Sequence, residues 1–460
     1  MAVVGGGLAG LAATVRLAEN GLQVELFEAR PRLGGRAASF RDPRSGQWID
    51  RSQHVSMGCC TAVADFCRRT ELADGFQRHR RLHFFGPDGT RYDFAAAWWL
   101  PAPLHLLPSL LGLKYLRLKD RFGIARAMFR LAHTGPSELD ETATIGDWLR
   151  GQGQSEIAIQ GFWSVVLRSA LAETADRASF AAARKVFVDG LLASHGAYEL
   201  DLPKIALAEL FDRRLSNWLT ERSVTVHRGA RVKEIDGDGR KAATLVMSDG
   251  TRREFDFFVV AVPWHKVRKL LAGAILDAIP ALQDVSEIQP VPITAVHLWF
   301  DRRISELPHA VLVGRLSQWV FCEQLIAGQA RPLHCRADTA RLCSVHHYQV
   351  VISGSQELRG RRREEVVAQV RSELEAIWPA ARGARLVRWR IVTEPAAVFS
   401  MRPGIDRLRP PQRTPVANLA LAGDWTATGW PATMEGAVRS GNAAAEAVQR
   451  TLGSRKLPKS

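Results

Sequence analysis

The sequence predicts an α/β protein with two domains, the first built on a parallel sheet and the second of α+β type. Its opening residues 2–4 are apolar and β-prone, and they lead into the glycine-rich segment 5–10. Residues 11–20 have the pattern of a helix that ends at Gly21, and residues 23–28 have the pattern of a second strand. A Rossmann-type nucleotide-binding domain begins with this β–α–β order. The length of 460 residues exceeds the size that a single core usually reaches, which favours two domains.

Composition and charge limit the classes of molecule that the protein is expected to bind. Hydrophobic residues make up 46% of the chain and charged residues 24%, as in folded proteins, and the net charge is +15. Such a charge suits an anionic membrane surface, nucleic acid or an anionic cofactor, or it is simply a biased, solvated surface. No basic block is interleaved with aromatic residues, so we expect no nucleic-acid partner. The six cysteines form no CxxC pair, which predicts free thiols and no metal site.

The first glycine motif is Gly5-x-Gly7-x-x-Gly10, and each glycine has a mechanical reason to be there. The first allows a tight turn, the second lets the backbone approach a pyrophosphate, and the third lets the helix pack close to the strand. Glu28 ends the next strand, where a carboxylate binds ribose hydroxyls and repels a 2′-phosphate. Phosphates bound here would lie at the helix N-terminus, which favours anions. The motif therefore predicts a dinucleotide site.

A second glycine-rich element, Gly34-Gly35-Arg36, follows directly. The paired glycines allow another close approach of the backbone, and Arg36 supplies a cation near the phosphates. An enzyme with a single NAD-binding domain has no need of this element, so it favours FAD as the cofactor. Val232, in the strand predicted for residues 223–235, is expected to contact the same cofactor.

The C-terminal part of the chain has a third cofactor-binding pattern. Gly423 and Asp424 follow the short apolar strand 419–422, and a carboxylate there suits ribityl or ribose hydroxyls. A helix predicted for residues 433–452 would point the free amides of its first turn, near Met434, at the electron-rich edge of a flavin. We therefore expect the flavin site to be assembled from both ends of the chain.

Taken together, these motifs resemble the flavin amine oxidase and carotenoid desaturase superfamily. More narrowly, residues 53–60, 100–119 and 423–441 resemble the hydroxysqualene dehydroxylases of bacterial squalene and hopanoid synthesis. That resemblance covers essentially the whole chain. It implies reduction of hydroxysqualene to squalene by a reduced flavin.

The resemblance also implies that the FAD-binding domain is discontinuous in sequence. We expect this domain, with its parallel sheet, to comprise residues 1–75, 205–272 and 412–452. An α+β substrate domain would then comprise residues 76–204 and 273–411, and residues 453–460 would form a flexible tail.

If the resemblance holds, removal of an allylic hydroxyl needs a proton donor, and the resulting cation needs hydride and protection from water. Asp50 and His54 are the candidates for acid and relay, although His54 is as well explained by a hydrogen bond to the backbone near the flavin. Glu394 and Arg402 are weaker candidates. The remaining candidates are tryptophans that would line the substrate pocket or belong to the core, Trp389 and Trp430.

Two features depart from the family pattern. Arg51 and Ser52 replace the usual residues of a local turn, and Thr433 stands where amine oxidases have an aromatic residue that cages the amine. The second departure disfavours an amine substrate. The alternatives are a carotenoid-type polyprenyl desaturase, an amine oxidase-like enzyme and a flavin-binding protein without catalytic activity.

A segment rich in Leu, Trp and Pro covers residues 95–132 and includes Trp98, Trp99 and Leu100. Prolines interrupt it, so no apolar run reaches the roughly 20 residues of a spanning helix. A basic helical stretch follows. The segment suits a peripheral membrane contact through which a polyprenyl lipid enters, or the helical core of the substrate domain, or both. The N-terminus lacks the features of a signal peptide. We therefore expect a cytoplasmic protein at the inner face of a bacterial membrane, served by an electron donor or reductase that the sequence does not identify.

Overall fold

A computed structural model describes most of the chain, namely residues 1–43, 46, 48–135, 142–322, 333–334 and 344–456. The described strands, in chain order, are β1 Ala2–Val4, β2 Glu25–Glu28, β3 Ser39–Arg41, β4 Trp48–Asp50, β5 Ser56–Met57, β6 Phe76–His79, β7 Leu82–Phe85, β8 Arg91–Phe94, β9 Leu200–Pro203, β10 Thr225–Arg228, β11 Val232–Gly237, β12 Ala242–Met247, β13 Arg252–Glu254, β14 Phe258–Val260, β15 Pro290–Phe300, β16 His309–Leu312, β17 Trp319–Cys322, β18 Leu333–His334, β19 Ser344–Ser353, β20 Leu386–Phe399 and β21 Leu419–Leu421.

The described α-helices are α1 Leu8–Glu19, α2 Thr61–Arg69, α3 Leu107–Leu111, α4 Leu118–His133, α5 Ile145–Gly151, α6 Glu156–Ala158, α7 Ser164–Leu171, α8 Phe180–Arg184, α9 Leu215–Glu221, α10 Trp264–Leu270, α11 Gly273–Asp277, α12 Arg363–Ile377, α13 Pro379–Arg382 and α14 Met434–Lys456. Shorter 3₁₀ turns are Ala73–Gly75, Leu104–Leu106, Pro280–Leu282, Asp284–Glu287, Ser355–Leu358 and Ile405–Leu408. Three segments have the wider turns of a π-helix, Ile159–Trp163, Lys185–Leu192 and Ala208–Arg214.

The first sheet is parallel and has the order β10-β2-β1-β14-β21. Val3 of the central strand is paired with Leu26 on one side and Val259 on the other, and all three side chains are fully buried. A parallel strand is covered on both faces, which explains why these strands are almost wholly apolar. All five strands come from the three separated segments that the sequence assigns to the cofactor domain.

Helices α1 and α14 pack against each other beside this sheet. Leu11 and Val15 of α1 share one apolar core with Val438 and Val448 of α14. The last helix therefore covers the first one, although more than 400 residues separate them in sequence.

The second large sheet has eight strands and is mostly antiparallel. Its order is β20-β15-β19-β17-β16-β7-β8, with β18 paired to β19 and with β16 parallel to β7. The helices between β8 and β9 pack into the main core, and α12 covers another part of the sheet through Val366, Val370 and Leu374. This half has the α+β character expected from the sequence.

Several predicted element boundaries differ from the structure. The first helix begins at Leu8 instead of residue 11, because Gly7 is already its N-cap. The strand predicted for residues 223–235 is two strands, since the chain turns at Gly229 and its halves enter different sheets. The last helix continues to Lys456, four residues beyond the predicted end at 452, and residues 457–460 of the predicted tail lie outside the described residues. No described helix is both long and apolar enough to cross a membrane.

Three histidines meet on the second domain. The ring of His309 lies 5.4 Å from that of His79 and 5.1 Å from that of His83, between centroids. His83 Nδ1 is 2.8 Å from Asp93 Oδ1. Burial and the two neighbouring histidines lower the pKa of His309 to about 3. His309 is thus neutral in the folded protein across the physiological range.

The first prediction concerns stability at acidic pH. A histidine with an ordinary pKa in the unfolded chain takes up a proton below pH 6.5, but folded His309 does not until pH falls to about 3. This residue should therefore cost the folded state about 2 kcal/mol at pH 5 relative to pH 7.5. The melting temperature of the wild type should fall more steeply from pH 7.5 to pH 5 than that of His309→Phe. Parallel curves for the two proteins would contradict a buried neutral imidazole.

Candidate functional site

A cavity of about 1230 Å³ runs between the two domains. The cofactor domain lines it with the glycine-rich turns, the loop around Asp424 and the start of α14. The lining residues of the second domain are Leu82, Phe84, Val165, Val166, Ser169, Ala170, Ala172, Lys185, Val186, Gly190, Leu191, Leu200, Ile293, Val311, Trp319, Phe321, Val351, Ser353, Val392, Glu394, Ala397 and Val398. One part of the cavity is thus rich in backbone amides and charges, and the other is mainly apolar.

The first glycine turn has the geometry of a phosphate-binding cradle. A methyl group added at Gly10 would overlap the Gly5 carbonyl oxygen, so Gly10 supports the turn from behind and is not among the lining residues. A methyl group at Gly7 would point into open space, with only the Gly35 Cα atom within 4 Å, at 3.8 Å. No side chain caps the first turn of α1. Gly7 and the amides that follow it therefore face a space that a pyrophosphate fits.

Glu28 is buried at the end of β2, and its carboxylate is oriented by two amides. Its Oε2 atom accepts a hydrogen bond from Gly6 N at 2.7 Å, and its Oε1 atom accepts one from Arg30 N at 2.8 Å. Glu28 and Val232 both line the cavity. An oriented carboxylate retains further acceptor capacity, as the binding of ribose hydroxyls requires.

The second glycine element lies against the first. Gly35 has a φ of +63°, and a methyl group there would lie 2.8 Å from the Gly7 Cα atom, so this position requires glycine. Gly34 donates a hydrogen bond from its amide to the Gly6 carbonyl oxygen at 2.8 Å. The two turns thus form one continuous backbone surface.

Arg36 connects the beginning of the chain with its end. Its Nη2 atom donates to Asp424 Oδ1 at 2.6 Å, and its Nη1 atom donates to the Ala397 carbonyl oxygen at 2.7 Å. Asp424 is buried, and Gly423 precedes it with its amide bound to Ser440 Oγ at 2.9 Å. The ion pair holds a cation and a carboxylate side by side on the cavity wall.

Two residues that support this site were missed by sequence reasoning. Arg409 is buried and donates to the carbonyl oxygens of Asp424, Thr426 and Trp430, so one guanidinium organises the loop 424–430. Glu435 accepts hydrogen bonds from the amides of residues 62 and 63, and thereby joins α14 to the first turn of α2. Both contacts link distant parts of the chain, and no local motif predicts them.

The residues present fit FAD. Gly7 leaves space for a pyrophosphate, Glu28 lies where an adenosine ribose would bind, and Met434 at the start of α14 lines the other end. Gly5, Gly34, Gly35, Arg36, Gly423 and Asp424 line the cavity between these ends. Bound FAD supplies two-electron chemistry, the transfer of a hydride to or from a substrate.

The structure corrects the prediction that Asp50 is the acid. Asp50 is buried and does not line the cavity. Its Oδ1 atom accepts hydrogen bonds from Ser39 Oγ at 2.6 Å and from Leu207 N at 2.9 Å. The carboxylate therefore joins the β3–β4 hairpin to the segment around residue 207 and lies outside the cavity lining.

His54 lines the cavity, and its Nδ1 atom is 2.9 Å from the Ser52 carbonyl oxygen. Burial lowers the pKa of His54, the hydrogen bond to Ser52 opposes this effect, and the Arg36 charge adds to the lowering. A neutral imidazole that donates from Nδ1 presents Nε2 as an acceptor. His54 is thus placed to accept a hydrogen bond, and its lowered pKa disfavours it as a resting acid.

A buried glutamine fixes the segment that carries His54. Gln349 of β19 donates from Nε2 to the Asp50 carbonyl oxygen at 3.2 Å, and its Oε1 atom accepts a hydrogen bond from Gln53 N. The conformation of residues 50–54 therefore depends on the second domain, which explains why local turn rules did not predict it.

The two candidate tryptophans differ in whether they line the cavity. Trp430 lines the cavity, with Lys185 Nζ 5.2 Å and the Arg439 guanidinium 4.8 Å from its ring centroid. Trp389 is 36% exposed and does not line the cavity, so its assignment to the pocket is wrong. Side chains alternate along β20, and Val392 and Glu394 point to the cavity from the other face of the strand. Arg402 is exposed and also lies outside the lining.

Comparison with known proteins agrees with this geometry. The family described as flavin-containing amine oxidoreductases matches residues 8–449. Two curated relatives are the 15-cis-phytoene desaturase of Synechococcus elongatus, 26% identical over 97% of this chain and 95% of its own length, and the zeta-carotene desaturase of a Synechocystis strain, 24% identical over 97% and 96%. Among solved structures, an oxidoreductase from Methanosarcina mazei has a TM-score of 0.71 at 17% identity, covering 97% of this chain and 99% of its own. Cyclohexylamine oxidase from Brevibacterium oxydans has a TM-score of 0.70 at 17% identity, covering 98% and 99%.

The second prediction separates cofactor binding from folding at the first glycine turn. Gly7→Ala adds a methyl group that meets no close protein atom but occupies the phosphate space, so the purified protein should lose FAD while its apoprotein melting temperature stays near that of the wild type. Gly10→Ala is the matched comparison, since its methyl group overlaps backbone and should lower the melting temperature itself. The measurements are bound FAD per chain and thermal unfolding of the apoproteins. Full FAD occupancy in Gly7→Ala would exclude the assigned phosphate position.

Proposed function

This chain belongs to the family of flavin-containing amine oxidoreductases, and we propose that it reduces hydroxysqualene to squalene as an FAD-dependent enzyme. The observation that carries the proposal is the lining contributed by the second domain. Among those lining residues most side chains are apolar, and the ionisable ones are Lys185 and Glu394. A cavity with this lining suits a long hydrocarbon that carries a single polar group.

The identities of the relatives support an isoprenoid substrate. The curated proteins quoted above are named as desaturases of phytoene and zeta-carotene, and they match this chain over nearly its whole length. Hydroxysqualene belongs to the same chemical class and differs in having a hydroxyl group that can leave. The narrower resemblance of residues 53–60, 100–119 and 423–441 to hydroxysqualene dehydroxylases favours reduction.

Thr433 argues against an amine substrate. Its Oγ1 atom donates to the Pro431 carbonyl oxygen at 3.2 Å and accepts a hydrogen bond from Gly436 N at 3.1 Å, so the side chain caps the start of α14. A small capping residue at this place supplies no aromatic wall for an amine. The lining residues thus favour a neutral substrate over a cationic one.

The chain's own residues have distinct tasks in the proposed reaction. The apolar lining excludes water, which would otherwise capture an allylic cation. Trp430 presents a ring to the cavity, and an indole face stabilises a nearby positive charge. His54 offers a hydrogen-bond acceptor close to the loop that binds the cofactor.

A second candidate function is desaturation of a polyprenyl chain. It is favoured by the names of the relatives, which remove hydrogen rather than a hydroxyl group. The two functions use the same cavity in opposite redox directions, and they differ in whether the enzyme must be reduced or oxidised before the substrate binds.

The third prediction tests the reaction directly. Enzyme whose FAD has been reduced without oxygen should convert hydroxysqualene to squalene, with one squalene formed per flavin reoxidised. Oxidised enzyme under the same conditions should form no squalene, and simple amines should leave the oxidised flavin unchanged. Lipid analysis and flavin absorbance are the measurements. A more unsaturated product from the oxidised enzyme would establish desaturation instead.

We also propose that the protein binds a membrane surface through its second domain. Six apolar side chains protrude there from residues 98–129, and α3 packs against α4 within this region. These residues, which we call the apolar patch, are Trp98 (87% exposed), Trp99 (62%), Leu104 (48%), Leu118 (59%), Phe122 (57%) and Phe129 (61%). Exposed Lys114, Arg117 and Lys119 lie within the same stretch of chain and suit anionic headgroups. Such a surface would place the enzyme at the inner face of a bacterial membrane, where both its lipid substrate and a reductase could reach it.

The fourth prediction concerns this patch. Wild-type protein should float with vesicles that contain anionic lipid, and less so as salt is added. Replacing Trp98 and Trp99 together by Ser should reduce binding at least tenfold without lowering the melting temperature, because both side chains are already exposed. Trp48→Ser is the matched control, since Trp48 is 49% exposed outside the patch. Equal flotation of the double variant and the control would rule out the patch as the contact.

A further inference from the structure

Loss of a hydroxyl group from carbon requires a proton, because hydroxide is a poor leaving group. Among the lining residues of the second domain, the ionisable side chains are Lys185 and Glu394. Glu394 Oε2 lies 3.4 Å from Arg51 Nη2, and an ionised carboxylate paired with a guanidinium accepts hydrogen bonds but has no proton to give. Lys185 carries an ammonium group with three donors.

The cofactor-domain side of the cavity offers no better donor close to the apolar lining. Asp424 is paired with Arg36, and Glu435 is held by the amides of α2 and by Arg439. Arginine does not give up a proton in proteins, and both histidines of the lining, His54 and His265, have pKa values that burial lowers. The remaining lysines of the lining, Lys233, Lys266 and Lys269, are exposed on β11 and α10 of the cofactor domain.

The position of Lys185 suits a reacting group. It begins the π-helical segment Lys185–Leu192, which also presents Val186, Gly190 and Leu191 to the cavity. Stretches of π-helix are rare in proteins as a whole, and those that occur often lie at functional sites. Lys185 Nζ lies 2.6 Å from Asp189 Oδ2 and 5.2 Å from the Trp430 ring centroid. The ammonium is therefore held where the apolar lining meets the loop of residues 424–430.

We propose that Lys185 is the catalytic residue that donates the proton to the leaving hydroxyl group. This assignment rests on the proposed reduction of hydroxysqualene. One N–H bond of the ammonium breaks and an O–H bond forms, while the allylic C–O bond breaks and water leaves. The positive charge passes from Lys185 to carbon, and bound reduced FAD would supply the hydride that cancels it.

The surroundings of Lys185 match this change of charge. As the ammonium becomes neutral, the Trp430 ring loses one of its neighbouring charges and remains on the cavity wall, where an indole face stabilises a positive charge. The other charged group at the Trp430 ring is Arg439, which Glu435 neutralises at 2.6 Å. The Lys185 side chain is 31% exposed, so solvent can return its proton after each turnover.

Oxygen exchange tests the proton donor without hydride transfer. Oxidised enzyme cannot reduce the cation, so the cation should recombine with the released water or lose a proton to give a dehydrated polyene. Recombination introduces ¹⁸O from labelled solvent whenever the released water exchanges first. Wild type should show at least one of these two products of ionisation by mass spectrometry. Lys185→Met should lower their rate by about 10²–10⁴-fold, the usual contribution of a general acid. Lys185→Arg should be nearly as slow, because it keeps the charge but not the acidity.

Three further measurements separate this role from a structural one. FAD content and melting temperature should be unchanged in Lys185→Met. Lys204→Met, which removes an exposed lysine that is not part of the cavity lining, should exchange at the wild-type rate. Asp189→Asn should retain part of the exchange, because the ammonium persists with poorer orientation.

The outcomes distinguish the role of Lys185 from the proposed reaction itself. If wild type reduces hydroxysqualene and Lys185→Met exchanges oxygen at the wild-type rate, Lys185 is not the donor and the proposed function stands. If wild type neither reduces the substrate nor ionises it, the proposed function fails and the assignment of Lys185 fails with it.

Discussion

The ion pair between Arg36 and Asp424 is the contact on which the rest of the site depends. It joins residues 388 positions apart in sequence, and it places the glycine-rich turns of the N-terminal segment beside the loop that leads into α14. The Ala397 carbonyl oxygen on the same guanidinium brings the long strand β20 of the second domain to this point. The cofactor groove and the apolar lining of the second domain therefore meet at the Arg36 side chain.

The parts of the site that could be predicted from the sequence are those whose function is local. Gly5, Gly7 and Gly10 act within one turn, and their spacing together with their place between a strand and a helix indicates their role. The role of Glu28 follows from its place at the end of the next strand. Asp50 failed as a candidate because its partners, Ser39 and Leu207, lie in other segments and turn it away from the cavity. Trp389 failed because its strand face depends on the pairing of β20 with β15, which no local pattern reveals.

The distribution of charge divides the cavity into two chemical environments. Where the cofactor belongs, charges are paired or oriented, as in Glu28 with its two amides and Arg36 with Asp424. Where the second domain contributes, side chains are mainly apolar, and Lys185 and Glu394 each have an oppositely charged neighbour. A short-lived cation formed there would meet little water and few competing nucleophiles, which is the condition under which hydride capture outruns hydrolysis.

The order of the segments along the chain has a consequence for biosynthesis. The parallel sheet is completed by β21, and the apolar face of α1 is covered by α14, so both wait until residues 419–456 have left the ribosome. For most of translation the nascent chain exposes an unpaired strand edge and an uncovered apolar helix, which are the surfaces that aggregate and that chaperones bind. Pairing elements so far apart also slows folding, because a long loop must close before its contacts stabilise anything. Production of this protein should therefore respond to chaperone supply and to slower translation, and a chain that stops short of residue 419 would lack the edge strand of its own first domain.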